Sequence, residues 1–272
     1  VSAADAYTER EGSVMQEYED FTVEYRDASH RYFLHHGDER RPVPSVTSIL
    51  KVLDKGALLR WAEAKGAEGA ARLARLGELE GVPDEEAIDV VRLFGFGADA
   101  ARDSGASRGS LVHHMQQSYI DTGLPPKLSD FDPEYRGYVQ GYCRWLVDAS
   151  PEPVCCERIV GSHKHGYAGT LDMAAVVTLV DATGRRRGLA LADIKTNARA
   201  AVYPEHWLQL LGYRTAWEES TGTDVDGLVV VALGPGGLCR PSLVTASAIE
   251  WLNVLNAYRA METVKRLMKD EQ

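Results

Sequence analysis

Two periodicities divide the chain. From about residue 57 to 121 apolar positions recur every three or four residues, as in "ALLRWAEAKGAEGAARLARLG" and "PDEEAIDVVRLF", and predict helices. "DPEYRGYVQGYCRWLVDAS" (132–150) predicts another helix, opened by Asp132 with Pro133 at its first position. After Pro153 the pattern changes to apolar runs and alternation. "VCCERIVG", "YAGTLDMAAVVTLV" and "GLALADIKT" predict three strands, with "DATGRRRG" as the turn between the last two. A helix ("YPEHWLQLLGYRTAWEES"), a buried strand ("DGLVVVAL") and a long terminal helix ("SAIEWLNVLNAYRAMETVKRLMK") complete the order.

Near the start, "FTVEYRDASHRYFLH" (21–35) reads as strand, polar turn, strand, which is a hairpin. "VPSVTSIL" (43–50) follows, with Ser45 or Thr47 as an N-cap. Residues 1–20 are acidic and weakly patterned, and the expectation there is a mobile leader. The remainder predicts one mixed α+β domain over 21–272. Its hairpin and helical part spans 21–150, and its sheet and C-terminal helix span 151–272.

Composition narrows this little. Hydrophobic content of 44% and charged content of 26% over 272 residues are those of an ordinary globular chain. No apolar stretch reaches a membrane span and no secretory pattern is visible, so the expected setting is the cytoplasm, without a membrane partner. Cys143, Cys155, Cys156 and Cys239 form no C-x-x-C pair and are expected as reduced thiols. "GFGADAA" (95–101) fits a dinucleotide fingerprint in letters but follows a helical pattern rather than a strand, and no G-x-S-x-G occurs. His163 and His165 lack further zinc ligands nearby in sequence.

Charge changes the picture more. A net charge of −10 opposes wholesale binding to a polyanion, yet residues 155–215 carry 8 Lys and Arg against 5 Asp and Glu. A local basic surface on an acidic protein is therefore expected. The "RRR" at 185–187 reads as a solvated turn or as part of that surface.

The chemistry gathers on "GLALADIKTNARA". Residues two apart in a strand share a face, so Asp193 and Lys195 project together while Ala192 and Ile194 enter an apolar layer. A turn near Thr183 or Gly184 brings Asp172, in the preceding strand, beside Asp193. Two carboxylates beside an ammonium suit a hard cation that prefers oxygen ligands. The plain alternative is a partly exposed ion pair at a strand end. Gln209 and Tyr213 share a helix face at i, i+4, either toward the site or on the helix's polar edge. "RGSLVHH" sets His113 and His114 at an expected helix start, and one imidazole could join the cation's ligands.

The ordered set Gly109-Ser110-Leu111-Val112-His113, Glu157…Gly169-Thr170-Leu171-Asp172, Asp193-Ile194-Lys195 and Gln209…Tyr213 resembles the PD-(D/E)XK nuclease superfamily, in its RecB-like exonuclease branch. "VPSVTSIL" resembles the opening of mitochondrial and phage exonucleases of that branch, and the likeness runs from about residue 30 to 265. The resemblance implies a restriction-endonuclease-like core, a central mixed sheet flanked by helices, here with an N-terminal hairpin and a helical insertion forming an arch or wall. It implies His113, Asp172, Asp193 and the Ile194 carbonyl as ligands of one or two Mg²⁺ or Mn²⁺ ions, with Glu157 as a further acidic neighbour. Lys195 is then the catalytic lysine, and Gln209 and Tyr213 support the site and contact DNA. Arg108, Thr196, Arg199 and Ser45 are further expected DNA contacts. Arg199 stands where relatives often carry lysine. Cysteines of the iron–sulfur relatives are missing at the matching places, so no cluster is expected.

The implied activity is metal-dependent exonucleolytic hydrolysis of DNA, acting on single-stranded ends, in phage or bacterial replication, recombination or repair and with recombination proteins as possible partners. The alternatives are a structure-specific or nicking endonuclease of the same fold, and a catalytically silent acidic protein that mimics DNA or binds its partners.

Overall fold

A computed structural model of the chain describes residues 7–10, 12–53, 56–96, 98–182 and 184–270; the side chains of 7–10, 56–61 and 98–109 lie outside it. Its architecture is mixed α/β, with two five-stranded sheets and seven α-helices among the described residues. The chain separates into two compact units, a helical one of Leu53–His114 and a second made of the rest. The helical insertion expected within 21–150 is thus a unit of its own.

The first sheet is an antiparallel meander of β1 (Tyr7–Arg10), β2 (Ser13–Glu17), β3 (Thr22–Arg26), β4 (Arg31–His36) and β5 (Glu39–Val43). The expected hairpin is therefore larger: β1 and β2 come from the stretch set aside as a leader. Weak alternation hid them, because β2 is mostly half-buried and carries Gln16 inside. One face of this sheet packs Phe21, Val23, Tyr32 and Leu34 against Ile159 and Ala168. Next comes α1 (Val46–Ile49), capped by Ser45, whose Oγ accepts the Ser48 backbone N–H at 3.0 Å. It is only one turn long and passes into a 3₁₀ turn over Leu50–Val52.

The helical unit holds α2 (Gly56–Leu76), α3 (Asp84–Leu93) and the first part of α4 (Ala98–Thr122). Leu73 and Val91 are buried within it, and the Arg72 guanidinium lies 5.0 Å from the Phe96 ring centre.

α5 (Arg136–Ala149) begins later than expected. Asp132 and Pro133 build a turn, closed by the Tyr135 N–H on the Asp132 carbonyl at 2.9 Å, and helical bonds start after it. The second sheet has the order β10-β9-β8-β7-β6, from β6 (Glu152–Ser162), β7 (Tyr167–Asp181), β8 (Gly184–Thr196), β9 (Gly227–Gly234) and β10 (Leu238–Leu243). Neighbours are antiparallel except β8 and β9, whose parallel pairing is made by the crossover through α6 (Pro204–Thr221). Parallel pairing buries β9 from end to end, which is why "DGLVVVAL" is continuously apolar. β10 is an edge strand with mixed polarity and Pro241, and no periodic signal announced it.

α5 packs on β9 and β10, closely enough that a Cβ on Gly141 would lie 2.5 Å from the Leu238 carbonyl oxygen. α6 packs on β6, β8 and β9, and α7 (Ala248–Asp270) packs on α6. There Trp251 is fully buried beside Gly212 and 5.1 Å from the ring of Tyr167. Covered on both sides, α6 buries Leu210, Leu211, Ala216 and Trp217 around much of its circumference, so its apolar pattern has no single stripe.

The three arginines at 185–187 belong to β8 rather than to a turn. Arg187 donates to the carbonyls of Ala149, Ser150 and Val176 and to Glu152 at 2.7–3.1 Å. Arg186 donates to the Asp226 carbonyl at 2.9 Å. Arg185 donates to the Asp148 carbonyl at 3.5 Å, so all three serve as ties within the chain.

Candidate active site

The antiparallel ladder between β7 and β8 runs from Asp181↔Gly184 to Met173↔Ala192 and stops. The next opposed residues are Asp172 and Asp193, so the expected turn does bring these carboxylates together. Beyond the last rung the Ile194 N–H is not used by β7's backbone. Asp172 Oδ2 accepts it instead, at 3.1 Å.

Asp193 is fully buried, between β7 and β9 in the middle of the sheet. Its Oδ1 accepts from Lys195 Nζ at 2.9 Å, as the period of two requires. Its Oδ2 is buried with no hydrogen-bond partner. An orphaned polar atom in the interior costs about 1–3 kcal/mol, and more on a charged group. Only a further cation or donor arriving at that point offsets it.

Glu157 adds to the negative charge. The flanking pairs Cys156↔Met173 and Arg158↔Leu171 place it opposite Asp172 on β6. It is exposed and holds a left-handed backbone with φ 48° inside a strand. For a residue with a Cβ that conformation costs about 1–2 kcal/mol, and such cost concentrates at functional positions.

The charges couple accordingly. Burial, and then the neighbouring Asp193, push the Asp172 carboxyl up to about 7. Burial pulls the Lys195 ammonium down, but Asp193 and Asp172 outweigh it and leave the group above its ordinary value. Two carboxylates thus act on one ammonium, and Glu157 adds its charge beside Asp172.

Gln209 and Tyr213 are buried on α6 and face the site rather than a polar edge; Gln209 Nε2 donates to the Tyr213 hydroxyl at 3.2 Å. Burial and the two aspartates hold the Tyr213 phenol well above its ordinary range, so it stays neutral. The Tyr213 ring lies over β7 at Gly169, where a Cβ would sit 2.7 Å from Tyr213 Cε1. That close approach accounts for glycine three residues before Asp172.

His206 was missed. It is half-buried in the first turn of α6, and its Nδ1 accepts the Tyr203 backbone N–H at 3.2 Å. Burial, and then the charge of Lys195, lower its pKa. Its spacing from Gln209 and Tyr213, on one helix face, was the available signal.

The other expected residues are more scattered. Thr196 is half-buried at the end of β8. Arg199 is exposed on a turn held by the Asn197 carboxamide, which accepts from the backbone N–H of Arg199 and Ala201. The Ser45 hydroxyl is engaged as a helix cap. His113 and His114 are exposed on α4 and belong to the helical unit. The side chain of Arg108 lies outside the described residues. All four cysteines are free thiols, and burial pushes Cys156 up to about 12.

Among the described residues, no three His, Cys, Asp or Glu side chains are grouped as a preformed metal cage. Asp172 and Asp193 each commit one oxygen to the protein, to Ile194 and to Lys195. Even so, the orphaned Asp193 Oδ2 and the excess of carboxylates suit a hard divalent cation. No described helix is long and apolar enough to cross a membrane. The chain matches no family model and no curated protein sequence.

Proposed function

We propose that the chain is a metal-dependent DNA exonuclease of the PD-(D/E)XK type, acting on single-stranded ends. The observation that carries this reading is the partnerless Asp193 Oδ2, buried beside a second carboxylate and an ammonium. An isolated ion pair leaves that oxygen unexplained, whereas a bound cation satisfies it.

Asp172 and Asp193 would hold Mg²⁺ or Mn²⁺, with Glu157 and the Ile194 carbonyl as further candidates. The ion would supply charge that polarises a phosphoryl oxygen and activates water. Lys195, held protonated by its two carboxylate neighbours, offers a positive charge to a non-bridging phosphate oxygen or orients the attacking water. The neutral Tyr213 hydroxyl, positioned by Gln209, is a donor to the same phosphate. Asp172, fixed by the Ile194 amide, keeps the carboxylate pair in register.

The test is hydrolysis of end-labelled single-stranded DNA with Mg²⁺ or Mn²⁺ and with chelator. Activity should require the metal and fall by about 10³-fold or more in Asp193→Asn and Lys195→Met. A closed circular single strand should stay intact; a cut circle would turn the reading to an endonuclease. Equal hydrolysis by Asp193→Asn and wild type would sink the site.

A further inference from the structure

The Tyr213 ring has a second neighbourhood besides the carboxylates. Together with Gly169 and Thr170 it forms the inner wall of a cleft of about 360 Å³ whose outer wall includes Tyr25, His30 and Lys51. Tyr32, at the base of the same cleft, shares a hydrogen bond with Thr170 Oγ1 at 2.8 Å, which ties the meander to β7 two residues before Asp172.

This cleft does not end there. Ser48 and Lys51 also line a second cleft of about 410 Å³, closed on its far side by Tyr258 of α7. Tyr258 in turn belongs to a third, of about 440 Å³, that reaches Arg266. Shared wall residues set the three clefts in succession, a furrow from the Tyr213 ring over α1 to the outer half of α7.

Two features of the lining point to one class of ligand. Lys51 and Arg266 are exposed and pair with no carboxylate among the described residues, in a protein of net charge −10. Lys265, between them, is already taken by Glu262 at 2.7 Å. Beside these cations Tyr25 and Tyr258 are half-buried, with ring surface available along the furrow. Unneutralised cations alternating with aromatic rings along a groove suit the phosphates and bases of an unpaired strand.

We propose that this furrow is the track of a single DNA strand, running from the carboxylate pair past Lys51 to Tyr258 and Arg266. The proposal rests on the nuclease reading and adds to it the surface that holds the strand. It also resolves the charge conflict: a narrow cationic path on an acidic body accepts one polyanionic strand while the remaining surface repels it.

The test is fluorescence anisotropy of a labelled twenty-residue oligothymidylate with the wild type and variants, in chelator so that no hydrolysis occurs. Lys51→Glu and Arg266→Glu should each weaken binding about fivefold or more and flatten the slope of log Kd against log salt by about 0.7. Tyr258→Ala should cost about fivefold or more through lost stacking. Arg240→Glu, on the edge strand β10, should bind as wild type does. Should Tyr258→Ala fail to fold, the two exposed charge reversals carry the same expectation. If wild type hydrolyses DNA while both charge reversals bind like wild type, the track is overturned and the nuclease reading stands. If the variants weaken binding but wild type hydrolyses nothing, the track stands and the nuclease reading falls. If wild type does not bind the oligomer, the track falls.

Discussion

Asp172 Oδ2 accepts the backbone N–H of Ile194 at 3.1 Å, one step beyond the last rung of the ladder joining their strands. A side chain replaces a backbone partner at the point where two carboxylates must meet. The sheet thereby keeps its hydrogen bonding while it opens into a site.

Asp172 makes the metal-free protein sensitive to pH. Its folded pKa of about 7 lies above the unfolded value of 3.8, so the folded state holds a proton that the unfolded state has lost. Stability from this group is full at low pH and falls as pH rises from about 4 through 7. In chelator, Tm of the wild type relative to Asp172→Asn should therefore rise between pH 8 and pH 6, by about 2–4 °C for each kcal/mol gained. A difference that stays flat, or falls, contradicts the raised pKa.

Metal should reverse that penalty. Saturating Mn²⁺ at pH 7.5, about a hundred times its Kd, is expected to raise Tm by roughly 5–10 °C. The shift should vanish in Asp193→Asn, because the orphaned oxygen is replaced. Differential scanning calorimetry reads both; an equal Mn²⁺ shift in the variant would place the ion elsewhere.

Gly169→Ala tests the contact behind the site. The new methyl would meet Tyr213 Cε1 at 2.7 Å and Val46 Cγ2 at 3.3 Å, so the phenol must move. Expected are a stability loss of about 1–3 kcal/mol in urea and a drop in kcat with the carboxylates untouched. Full stability and activity would show that the Tyr213 ring is not held against the strand.

Glu24 is the counterpart in the N-terminal sheet, a buried carboxylate fully served. It takes Arg26, His35 and Arg40 at 2.5–2.9 Å, and Arg40 lies 3.6 Å from the centre of the Phe33 ring. Burial alone would raise its pKa, but Arg40, Arg26 and His35 outweigh it and hold the carboxyl at about 2. Its stabilisation is therefore present above about pH 4.5 and lost as pH falls toward 2. Glu24→Gln should cost about 2 kcal/mol at pH 7 and only a small fraction of that at pH 2, read from denaturant midpoints.

Residues 153–233 were legible because period and burial agree there. Alternation, a tight turn and a continuously apolar strand each have one structural solution, and the turn at Asp181–Gly184 fixed the register of Asp172 with Asp193. Legibility failed where neighbours in space decide. β1, β2 and β10 owe their strand form to pairing with an adjacent edge, and β10 carries too few apolar positions to announce it. Arg185–Arg187 looked like a turn because the ties that use Arg187 come from Ala149 and Val176, distant in sequence. His206 escaped notice because its proximity to Lys195 arises from the crossover, not from spacing along a strand.

The ties of Arg187 have a consequence for how the molecule opens. One guanidinium holds the carbonyls that end α5, the Val176 carbonyl of β7 and the Glu152 carboxylate at the start of β6. Four elements share one knot, so none of them can fray without uncovering the others. Amide protons of α5 and of the outer β7–β8 hairpin should then exchange with solvent as one cooperative unit, at a single opening free energy. The end of the hairpin remote from the carboxylates is thus a clasp, and breathing of the molecule is directed away from its chemistry.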